Sequence, residues 1–199
     1  MSRSIWDDRY GQRGWAFGTE PNDFLREVAD RIPTGDVLCL GEGEGRNAVF
    51  LAERGCRVTA VDASSVGLDK AARFAAARSV DITTVHADLA DYAIEPDAWD
   101  GVVSIFCHLP QPVRQRVHRQ IVSGLRPAGV VVLEGYTPDQ LKYGTGGPPV
   151  ADLLYTAETV YGDFAGLELE MAREMVREVH EGRYHNGESA VVQVLARKR

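Results

Sequence analysis

The chain has 199 residues and a formal net charge of −7, with 29 acidic residues against 22 lysines and arginines. This length predicts one domain with a single core, and the acidic balance argues against a general affinity for nucleic-acid phosphates. The three cysteines are an odd number without a CxxC spacing, so we expect reduced thiols and neither a disulfide framework nor a metal site.

The N-terminal stretch, residues 1–10, alternates charged and aromatic side chains and lacks the apolar core of a signal peptide. No apolar run in the chain approaches the roughly 20 residues that are needed to cross a bilayer. We therefore expect a cytoplasmic protein with no membrane partner.

Short apolar runs alternate with helical patterns over most of the chain, which predicts an α/β fold built on a parallel sheet. Strands are predicted near residues 36–41, 57–62, 81–87, 99–106 and 129–134. Helices are predicted over residues 22–31, 46–54, 65–78 and 111–123, where apolar periodicity and glycine stops agree.

Between the first predicted strand and the helix that follows it lies Gly41-Glu42-Gly43-Glu44-Gly45. A strand, a tight glycine turn and a helix form the cradle of a nucleotide-type cofactor, in which glycines admit the ligand to the backbone and allow positive φ. A dinucleotide would place its pyrophosphate at this helix N-terminus, where a glutamate about 4 Å away would repel a phosphate charge by about 4 kcal/mol. Unless both glutamates point into solvent, the cradle favours S-adenosylmethionine, which has a sulfonium and an ammonium but no phosphate.

Acidic residues end the next two predicted strands. Asp62 lies about 20 residues beyond the cradle, where a carboxylate accepts hydrogen bonds from ribose hydroxyls, or else it is only a cap or turn residue. Asp88 ends the third strand, where a carboxylate can accept a hydrogen bond from the adenine amino group; its alternative interpretation is a solvated turn. Cofactors of open α/β sheets lie beyond the carboxyl ends of the strands, so we predict that both carboxylates face one ligand.

Two features are predicted after the fifth strand. The segment Gly144–Pro149 is rich in glycine and proline, and we interpret it as a lid over the substrate, or else as an uninvolved surface loop. Further on, strands over residues 167–179 and 189–196 flank a turn in which Asn186-Gly187 is a strong hairpin signal.

Two histidines are candidates for a catalytic base, should an acceptor need to lose a proton. His108 lies just past the fourth predicted strand, beside the expected position of the sulfonium; its alternative role is to fix the turn through backbone hydrogen bonds. His185 lies near the hairpin tip and faces the ligand side if the strand over residues 167–179 runs parallel to the others, or else it is an exposed turn residue. Cys107 is interpreted as a small buried residue.

Five segments carry a resemblance to a known family. They are Trp6–Tyr10, Phe17–Leu25, the glycine cradle, Ser104–Pro110 and Tyr143–Pro148. In these segments the chain resembles the class I S-adenosylmethionine-dependent methyltransferases, and within them the group similar to the tellurite-resistance and thiopurine methyltransferases. The resemblance implies a Rossmann-like sandwich with a mostly parallel seven-stranded sheet and an antiparallel C-terminal hairpin. It also implies that residues 1–30 are a helical segment that covers the cofactor and that residues 31–199 are the Rossmann-like core of a single domain.

The resemblance also implies roles for individual residues. Arg9 is similar to an N-terminal arginine that contacts the donor's carboxylate, or else it pairs with surface carboxylates. The family usually has an aspartate at the position of Cys39 and a small residue at that of Glu42, which makes Glu42 a candidate partner of the donor's ammonium group. Arg46, in the first turn of the cradle helix, opposes the helix dipole unless a cradle glutamate pairs with it. The residues predicted to bind the cofactor are Arg9, Gly41, Glu42, Gly43, Gly45, Asp62, Ala63, Asp88, Leu89 and Phe106.

We expect an enzyme that transfers the methyl group of S-adenosylmethionine to a small soft or anionic acceptor, a thiol or an oxyanion of tellurium or selenium. Such nucleophiles have an available lone pair near neutral pH, so orientation and exclusion of water suffice and a base is optional. Two other hypotheses stay open. One is an S-adenosylmethionine-binding sensor without turnover, and the other is a nicotinamide-dependent oxidoreductase, which the acidic cradle and the terminal hairpin disfavour. The expected partner is a small-molecule substrate, and the chain is expected to be a monomer or a homodimer.

Overall fold

The apolar runs of the sequence form strands, and the segments between them form helices. The structure, a computed structural model, describes residues 5–199. Its strands are β1 (Asp36–Leu40), β2 (Arg57–Asp62), β3 (Ile82–His86), β4 (Trp99–Ile105), β5 (Leu125–Tyr136), β6 (Leu167–Glu181) and β7 (His185–Lys198). Its α-helices are α1 (Ile5–Tyr10), α2 (Asp23–Val28), α3 (Arg46–Glu53), α4 (Ser65–Ala77), α5 (Gln111–Gly124) and α6 (Ala157–Asp163). Within this range no helix has both the length and the apolar character that crossing a membrane requires.

The strands form one mixed sheet in the order β3-β2-β1-β4-β5-β7-β6. Strands β1 to β5 are parallel, β7 is antiparallel to β5, and β6 is antiparallel to β7, so β6 runs in the direction of the first five. The predicted Rossmann-like sheet with an antiparallel C-terminal hairpin is confirmed. The strand order reverses between β1 and β4, and their carboxyl ends open a crevice where sheets of this kind usually hold a ligand.

The central strands β1, β4 and β5 are apolar on both faces, because helices cover both faces of a parallel sheet. On one face, Leu38 and Val131 belong to a core cluster that includes side chains of α5 and α6. On the other face, Val37 and Val132 pack with side chains of α2 and α3. The two clusters hold the sheet between the helices, so the carboxyl ends of its strands are a fixed platform for a site.

The boundaries of the helices follow the local capping chemistry. The cradle helix α3 begins after Gly45, and α4 begins after Ser64, whose hydroxyl accepts a hydrogen bond from the N–H of Gly67 at 3.1 Å. Serine is one of the residues favoured at a helix N-cap. The helix predicted over residues 22–31 is divided, because α2 ends at Val28 and a 3₁₀ turn continues over residues 29–31.

The hairpin forms, but its turn is not at Asn186-Gly187. Glu181 pairs with His185, so the turn consists of residues 182–184, and the Asn-Gly pair lies inside β7. The turn is set by Gly182, which has a φ of +74° and lies against the backbone of the N-terminal segment, leaving no room for a Cβ. The prediction from the Asn-Gly signal was therefore wrong, since a tertiary contact at a different glycine decides the turn.

A buried group of charged side chains joins the hairpin to the rest of the molecule. Glu134 near the end of β5 is fully buried and accepts two hydrogen bonds from the Arg177 guanidinium on β6, at 2.9 and 2.6 Å. Arg177 also contacts Glu181 at 3.3 Å, and Glu181 accepts a hydrogen bond from the Arg46 guanidinium at the start of α3. The expected pairing of Arg46 with a cradle glutamate is therefore wrong, because a carboxylate 135 residues away holds it.

The segment Gly144–Pro149 lies against the hairpin. The Thr145 hydroxyl donates to the carbonyl oxygen of Glu188 at 2.6 Å, and the Thr145 carbonyl oxygen accepts from the N–H of Asn186 at 3.1 Å. These bonds attach the segment to β7 beside the crevice. Its role as a lid stays a prediction.

Replacing Arg177 by methionine should lower the free energy of unfolding by about 3–5 kcal/mol, because the buried Glu134 carboxylate loses its cationic partner. Urea unfolding of the two proteins measures the difference. The matched control is Arg26→Met on α2, which removes exposed pairs with Glu20 and Asp23 and should cost less than about 1 kcal/mol. If the two variants lost the same free energy of unfolding, burial would not be what makes the Arg177–Glu134 pair important for stability.

Candidate active site

A cavity of about 310 Å³ opens at the carboxyl ends of the parallel strands, where β1 and β4 diverge. Both catalytic candidates line it, and so do most of the predicted cofactor-binding residues: Gly41, Glu42, Asp62, Ala63, Asp88, Leu89 and Phe106. Arg9, Gly43 and Gly45 lie outside the wall. The structure therefore brings together in one crevice residues that follow β1, β2, β3 and β4.

The turn between β1 and α3 has three glycines in the left-handed region, with φ of +62° at Gly41, +60° at Gly43 and +91° at Gly45. Positive φ is the reason for which glycine is expected in such a turn. A Cβ on Gly43 would lie 2.5 Å from the Tyr10 hydroxyl, and one on Gly45 would lie 2.6 Å from the Cβ of Ala71. These two glycines therefore make room for the N-terminal segment and for α4, whereas Gly41 forms part of the cavity wall.

The Glu42 side chain turns back to the helix that follows it. Its Oε1 accepts hydrogen bonds from the N–H groups of Asn47 and Ala48, at 2.9 and 2.8 Å. Burial raises the pKa of Glu42 to about 7, against the hydrogen bond from Ala48, the charge of Arg46 and the hydrogen bond from Asn47. Glu42 therefore caps the cradle helix and titrates near neutral pH at the cavity wall. Its contact with the donor's ammonium group stays a prediction.

Glu44 is held by the N-terminal segment and by α4. Its carboxylate accepts hydrogen bonds from a backbone N–H of that segment at 2.7 Å and from the Lys70 ammonium at 2.8 Å. From the sequence, both cradle glutamates were predicted to repel a phosphate and to favour a cationic ligand. In the structure Glu44 forms an ion pair with Lys70. Glu42 carries less than a full negative charge near pH 7, because its pKa is raised. The acidic character of the wall therefore depends on Asp62 and Asp88 more than on the cradle.

Asp62 and Asp88 both face the cavity from the ends of their strands. Asp62 is buried, and its two oxygens accept hydrogen bonds from the N–H groups of Gly43 and Ser64, both at 2.8 Å. Burial raises the pKa of Asp62, against these two hydrogen bonds. Asp88 is exposed and accepts from the N–H of Ala90 at 2.8 Å. A carboxylate offers about four lone-pair sites, so both residues can still accept hydrogen bonds from a ligand.

Both ring nitrogens of His108 are bound to the backbone. Nδ1 is 2.7 Å from the carbonyl oxygen of Leu153, to which a protonated Nδ1 donates, and Nε2 accepts from the N–H of Tyr136 at 3.1 Å. Burial lowers the pKa of His108 to about 4, so the ring is neutral near pH 7. Because neither nitrogen is left to take a proton from an acceptor, the structure corrects the assignment of His108 as a catalytic base. Its geometry is that of the alternative, a histidine that fixes the chain after β4.

His185 begins β7 and is buried among three aromatic rings. The ring centroids of Phe17, Phe106 and Tyr136 are 4.5, 4.6 and 5.3 Å from its own. Its Nδ1 has no hydrogen-bond partner among residues 5–199, and Oε2 of Glu181 is 4.0 Å away, beyond hydrogen-bond distance. Burial, followed by nearby positive charges, lowers the pKa of His185, so the ring is neutral. Since β6 runs parallel to the first five strands, the hairpin tip reaches the cavity, and His185 is not an exposed turn residue.

The N-terminal segment contributes aromatic side chains to the wall. Trp6 and Tyr10 of α1 line the cavity, together with Phe17. Arg9 of the same helix packs its guanidinium over the rings of Trp6 and Tyr184, at 4.9 and 4.5 Å from their centroids. Its contact with the donor's carboxylate stays a prediction.

Several residues of the wall were not among the predicted site residues. Arg46 and Asn47, in the first turn of α3, face the cavity, and Leu109 does so beyond β4. One signal for Arg46 was available in the sequence. A cation in the first turn of a helix is disfavoured by the helix dipole, which indicates that a carboxylate elsewhere in the fold holds it.

Just under half of the chain is similar to a known family model. Residues 37–129 match a family model described as Methyltransferase domain. The 2-heptyl-1-hydroxyquinolin-4(1H)-one methyltransferase of Mycobacteroides abscessus is 28% identical over 123 residues, which are 60% of this chain and 54% of that protein. The chain thus spans about half the length of the curated relative that it matches.

Two solved structures share the fold over nearly the whole chain. One is described as "Conversion of a Disulfide Bond into a Thioacetal Group during Echinomycin Biosynthesis"; it has a TM-score of 0.74 at 19% identity, over 98% of this chain and 91% of that one. The other is TehB from Haemophilus influenzae, with a TM-score of 0.74 at 18% identity, over 98% of this chain and 66% of that one. At these identities the likeness establishes the fold. Residues 37–129, just under half of the chain, are thus similar to methyltransferase domains, and other solved structures with this fold are described as S-adenosylmethionine-dependent methyltransferases.

The affinity for S-adenosylmethionine, relative to that for its demethylated product with an uncharged sulfur, should rise from about pH 6 to about pH 8. The pKa of Glu42 lies at about 7, so its carboxyl group gains a negative charge over this range and attracts the sulfonium. An attraction of about 1 kcal/mol changes the ratio of the two affinities by about fivefold. Calorimetric titration with both compounds at each pH measures this ratio.

The variant Glu42→Gln should make the ratio independent of pH, because the amide keeps an oxygen for the helix cap and carries no charge. The matched control is Glu53→Gln at the opposite end of α3, which should retain the dependence. A wild-type ratio that stays constant with pH would contradict an attraction between Glu42 and the sulfonium, as would a dependence that survives in Glu42→Gln.

Proposed function

We propose that this chain is a class I methyltransferase that transfers the methyl group of S-adenosylmethionine to a thiol or an acidic hydroxyl on a small, flat acceptor. When bound, S-adenosylmethionine supplies a methyl carbon that a nucleophile attacks in line with the departing sulfur. One observation carries the proposal: the wall of the cavity combines carboxylates beyond β2 and β3 with aromatic rings beside β4 and β7. The carboxylate side suits a cationic nucleoside, and the aromatic side suits a flat, largely apolar acceptor.

The residues of the carboxylate side fit the cofactor. Asp62 would hold the ribose hydroxyls and Asp88 the adenine amino group, since both have acceptor capacity at the cavity wall. The described part of residues 1–30 adds Trp6, Tyr10 and Phe17 to the wall. This placement supports the proposal that the N-terminal segment covers the cofactor while residues 31–199 form the core.

The charge of the wall favours a thiol or hydroxyl acceptor over a metalloid oxyanion. Within residues 5–199 the wall has one cationic side chain, that of Arg46, and it is bound to Glu181. Lys70 pairs Glu44 and the pKa of Glu42 is about 7, so it is mainly the carboxylates of Asp62 and Asp88 that oppose a multiply charged anion. The curated relative is named for an acceptor with a hydroxyl group on a flat quinolone ring, which supports the same class. Oxyanions of tellurium and selenium are the second candidate, because several segments of the chain resemble the tellurite-resistance group.

Such acceptors make little demand on a base. Thiols and acidic hydroxyls lose their proton in part near neutral pH, so the cavity has mainly to orient the nucleophile and exclude water. Burial raises the pKa of the Cys107 thiol to about 12, and His108 is committed to the backbone, so neither takes up a proton. His185, whose ring lines the cavity beside Phe106, is the candidate that contacts the reacting group.

Purified protein incubated with methyl-labelled S-adenosylmethionine should label benzenethiol and an N-hydroxyquinolone. The transfer rate should rise as the pH passes the acceptor's own pKa, since the ionised form is the nucleophile. Tellurite, selenite and a primary amine complete the panel. Transfer to the oxyanions alone would replace the proposed acceptor class, and binding of the cofactor without transfer to any compound would favour a sensor without turnover.

The variant His185→Gln should lower kcat/KM for benzenethiol by about tenfold or more, because the ring lies on the acceptor side of the cavity. The dissociation constant of the demethylated cofactor should change by less than about twofold. His180→Gln on the same hairpin is the matched control, since that side chain is 72% exposed, and it should change neither quantity. Equal losses of turnover and of cofactor affinity in His185→Gln would assign His185 to the cofactor instead.

A further inference from the structure

The residues that follow β4 form a short loop, 106–109, which we call the β4 loop, and all four line the cavity. In the sheet β4 lies on one side of β1, and β2 and β3 lie on the other. A nucleoside held by Asp62 and Asp88, at the ends of β2 and β3, therefore leaves the β4 loop facing the acceptor. The loop begins with Phe106 at a φ of +51°, a conformation that costs a non-glycine residue about 1–2 kcal/mol. Contacts from the surrounding structure must hold it.

The Tyr155 hydroxyl is bound to the β4 loop at two points. It donates a hydrogen bond to the carbonyl oxygen of Cys107 at 2.6 Å and accepts one from the N–H of Leu109 at 3.0 Å. The Tyr155 ring is only 1% exposed, and its centroid is 4.8 Å from that of His108. A single hydroxyl group thus fixes the backbone on both sides of His108.

The same short stretch of chain supplies a third attachment. The carbonyl oxygen of Leu153 accepts the hydrogen bond from His108, two residues before Tyr155. Space for the Tyr155 ring is left by Gly135 on β5, where a Cβ would lie 2.7 Å from the ring. The stretch 153–155 therefore acts as a support behind the β4 loop.

A buried ion cluster holds Tyr155 from its other side. The Asp163 carboxylate accepts a hydrogen bond from the Arg114 guanidinium at 2.7 Å and lies 3.0 Å from Nδ1 of His118. The Arg114 guanidinium lies 5.6 Å from the centroid of the Tyr155 ring, and the His118 ring meets that ring edge-on at 6.1 Å. Charged groups buried in this way keep their geometry, because separating them is costly. Contacts that lie outside the cavity therefore fix the position of the Tyr155 hydroxyl.

We propose that Tyr155 is a positioning residue for the methyl acceptor: its hydroxyl fixes the β4 loop, and the loop sets where the acceptor lies relative to the cofactor. The inference rests on the proposed function, since it takes the ligand on the β4 side to be the acceptor. In-line transfer depends closely on geometry, and a misplacement on the order of 1 Å can cost about 10²-fold in rate. Loss of the hydroxyl should therefore act on turnover and leave cofactor affinity unchanged.

The variant Tyr155→Phe removes the hydroxyl and keeps the ring with its packing. For the best acceptor of the panel, kcat should fall by about tenfold or more, while KM and the dissociation constant of the demethylated cofactor change by less than about twofold. Hydrogen exchange should become faster in peptides that cover residues 106–109 and stay unchanged over the cradle, residues 41–48. The matched control is Tyr161→Phe, the same change at a tyrosine of α6 that is 66% exposed, and it should alter none of these quantities.

Two results with an active wild type would overturn the proposal. Equal losses of turnover and of cofactor affinity would show general damage to the core, and faster exchange in the β4 loop with unchanged kcat would show that the position of the loop does not matter. A wild type that methylates no acceptor would instead refute the proposed function. In that case hydrogen exchange still decides the role of the hydroxyl: faster exchange confined to residues 106–109 supports it, and unchanged exchange overturns it.

Discussion

One buried carboxylate, that of Glu181 at the end of β6, connects the elements that surround the cavity. It binds Arg46 from the start of α3, Arg177 from its own strand and, at 2.8 Å, the side-chain amide of Asn22 from the N-terminal segment. A carboxylate removed from water costs several kcal/mol unless it is paired and hydrogen-bonded, so separating Glu181 from these donors is strongly unfavourable. The hairpin is thereby kept over the crevice, and His185 is brought into its wall.

The two histidines of the wall show how the backbone decides what a side chain can do. His108 and His185 are both buried, and both are neutral near pH 7. Both ring nitrogens of His108 form hydrogen bonds to the backbone, one with Leu153 and one with Tyr136. The ring thereby attaches the chain beyond β4 to the sheet. His185 is surrounded by rings that offer no partner to its Nδ1. Satisfied hydrogen bonds make the first residue structural, whereas the second lines the cavity and its Nδ1 takes no part in fixing the backbone of residues 5–199.

What could be predicted from the sequence is what depends on near neighbours along the chain. Strand and helix periods, the positive φ of the cradle glycines and the acidic residues at strand ends are of this kind, since parallel strands carry their carboxyl ends to one edge. Pairings between residues that are distant in the sequence could not be predicted. Arg46 is 135 residues from Glu181, and Tyr155 is 48 residues from Cys107. The prediction of where the hairpin turns failed for a related reason: the contact of Gly182 with the N-terminal segment outweighs the local preference of Asn-Gly for a turn.

Strand β7 lies between β5 and β6, although it follows both of them in the sequence. On the ribosome, β5 and β6 therefore emerge with open edges, and neither gains its neighbour until β7 has been translated. The inserted strand is the apolar one, with Val191, Val192, Val194 and Leu195 all buried. A nascent chain that pauses before β7 exposes two unpaired edges, which are templates for aggregation. Completion of the sheet therefore has to wait for the translation of β7, which also brings His185 into the wall of the crevice.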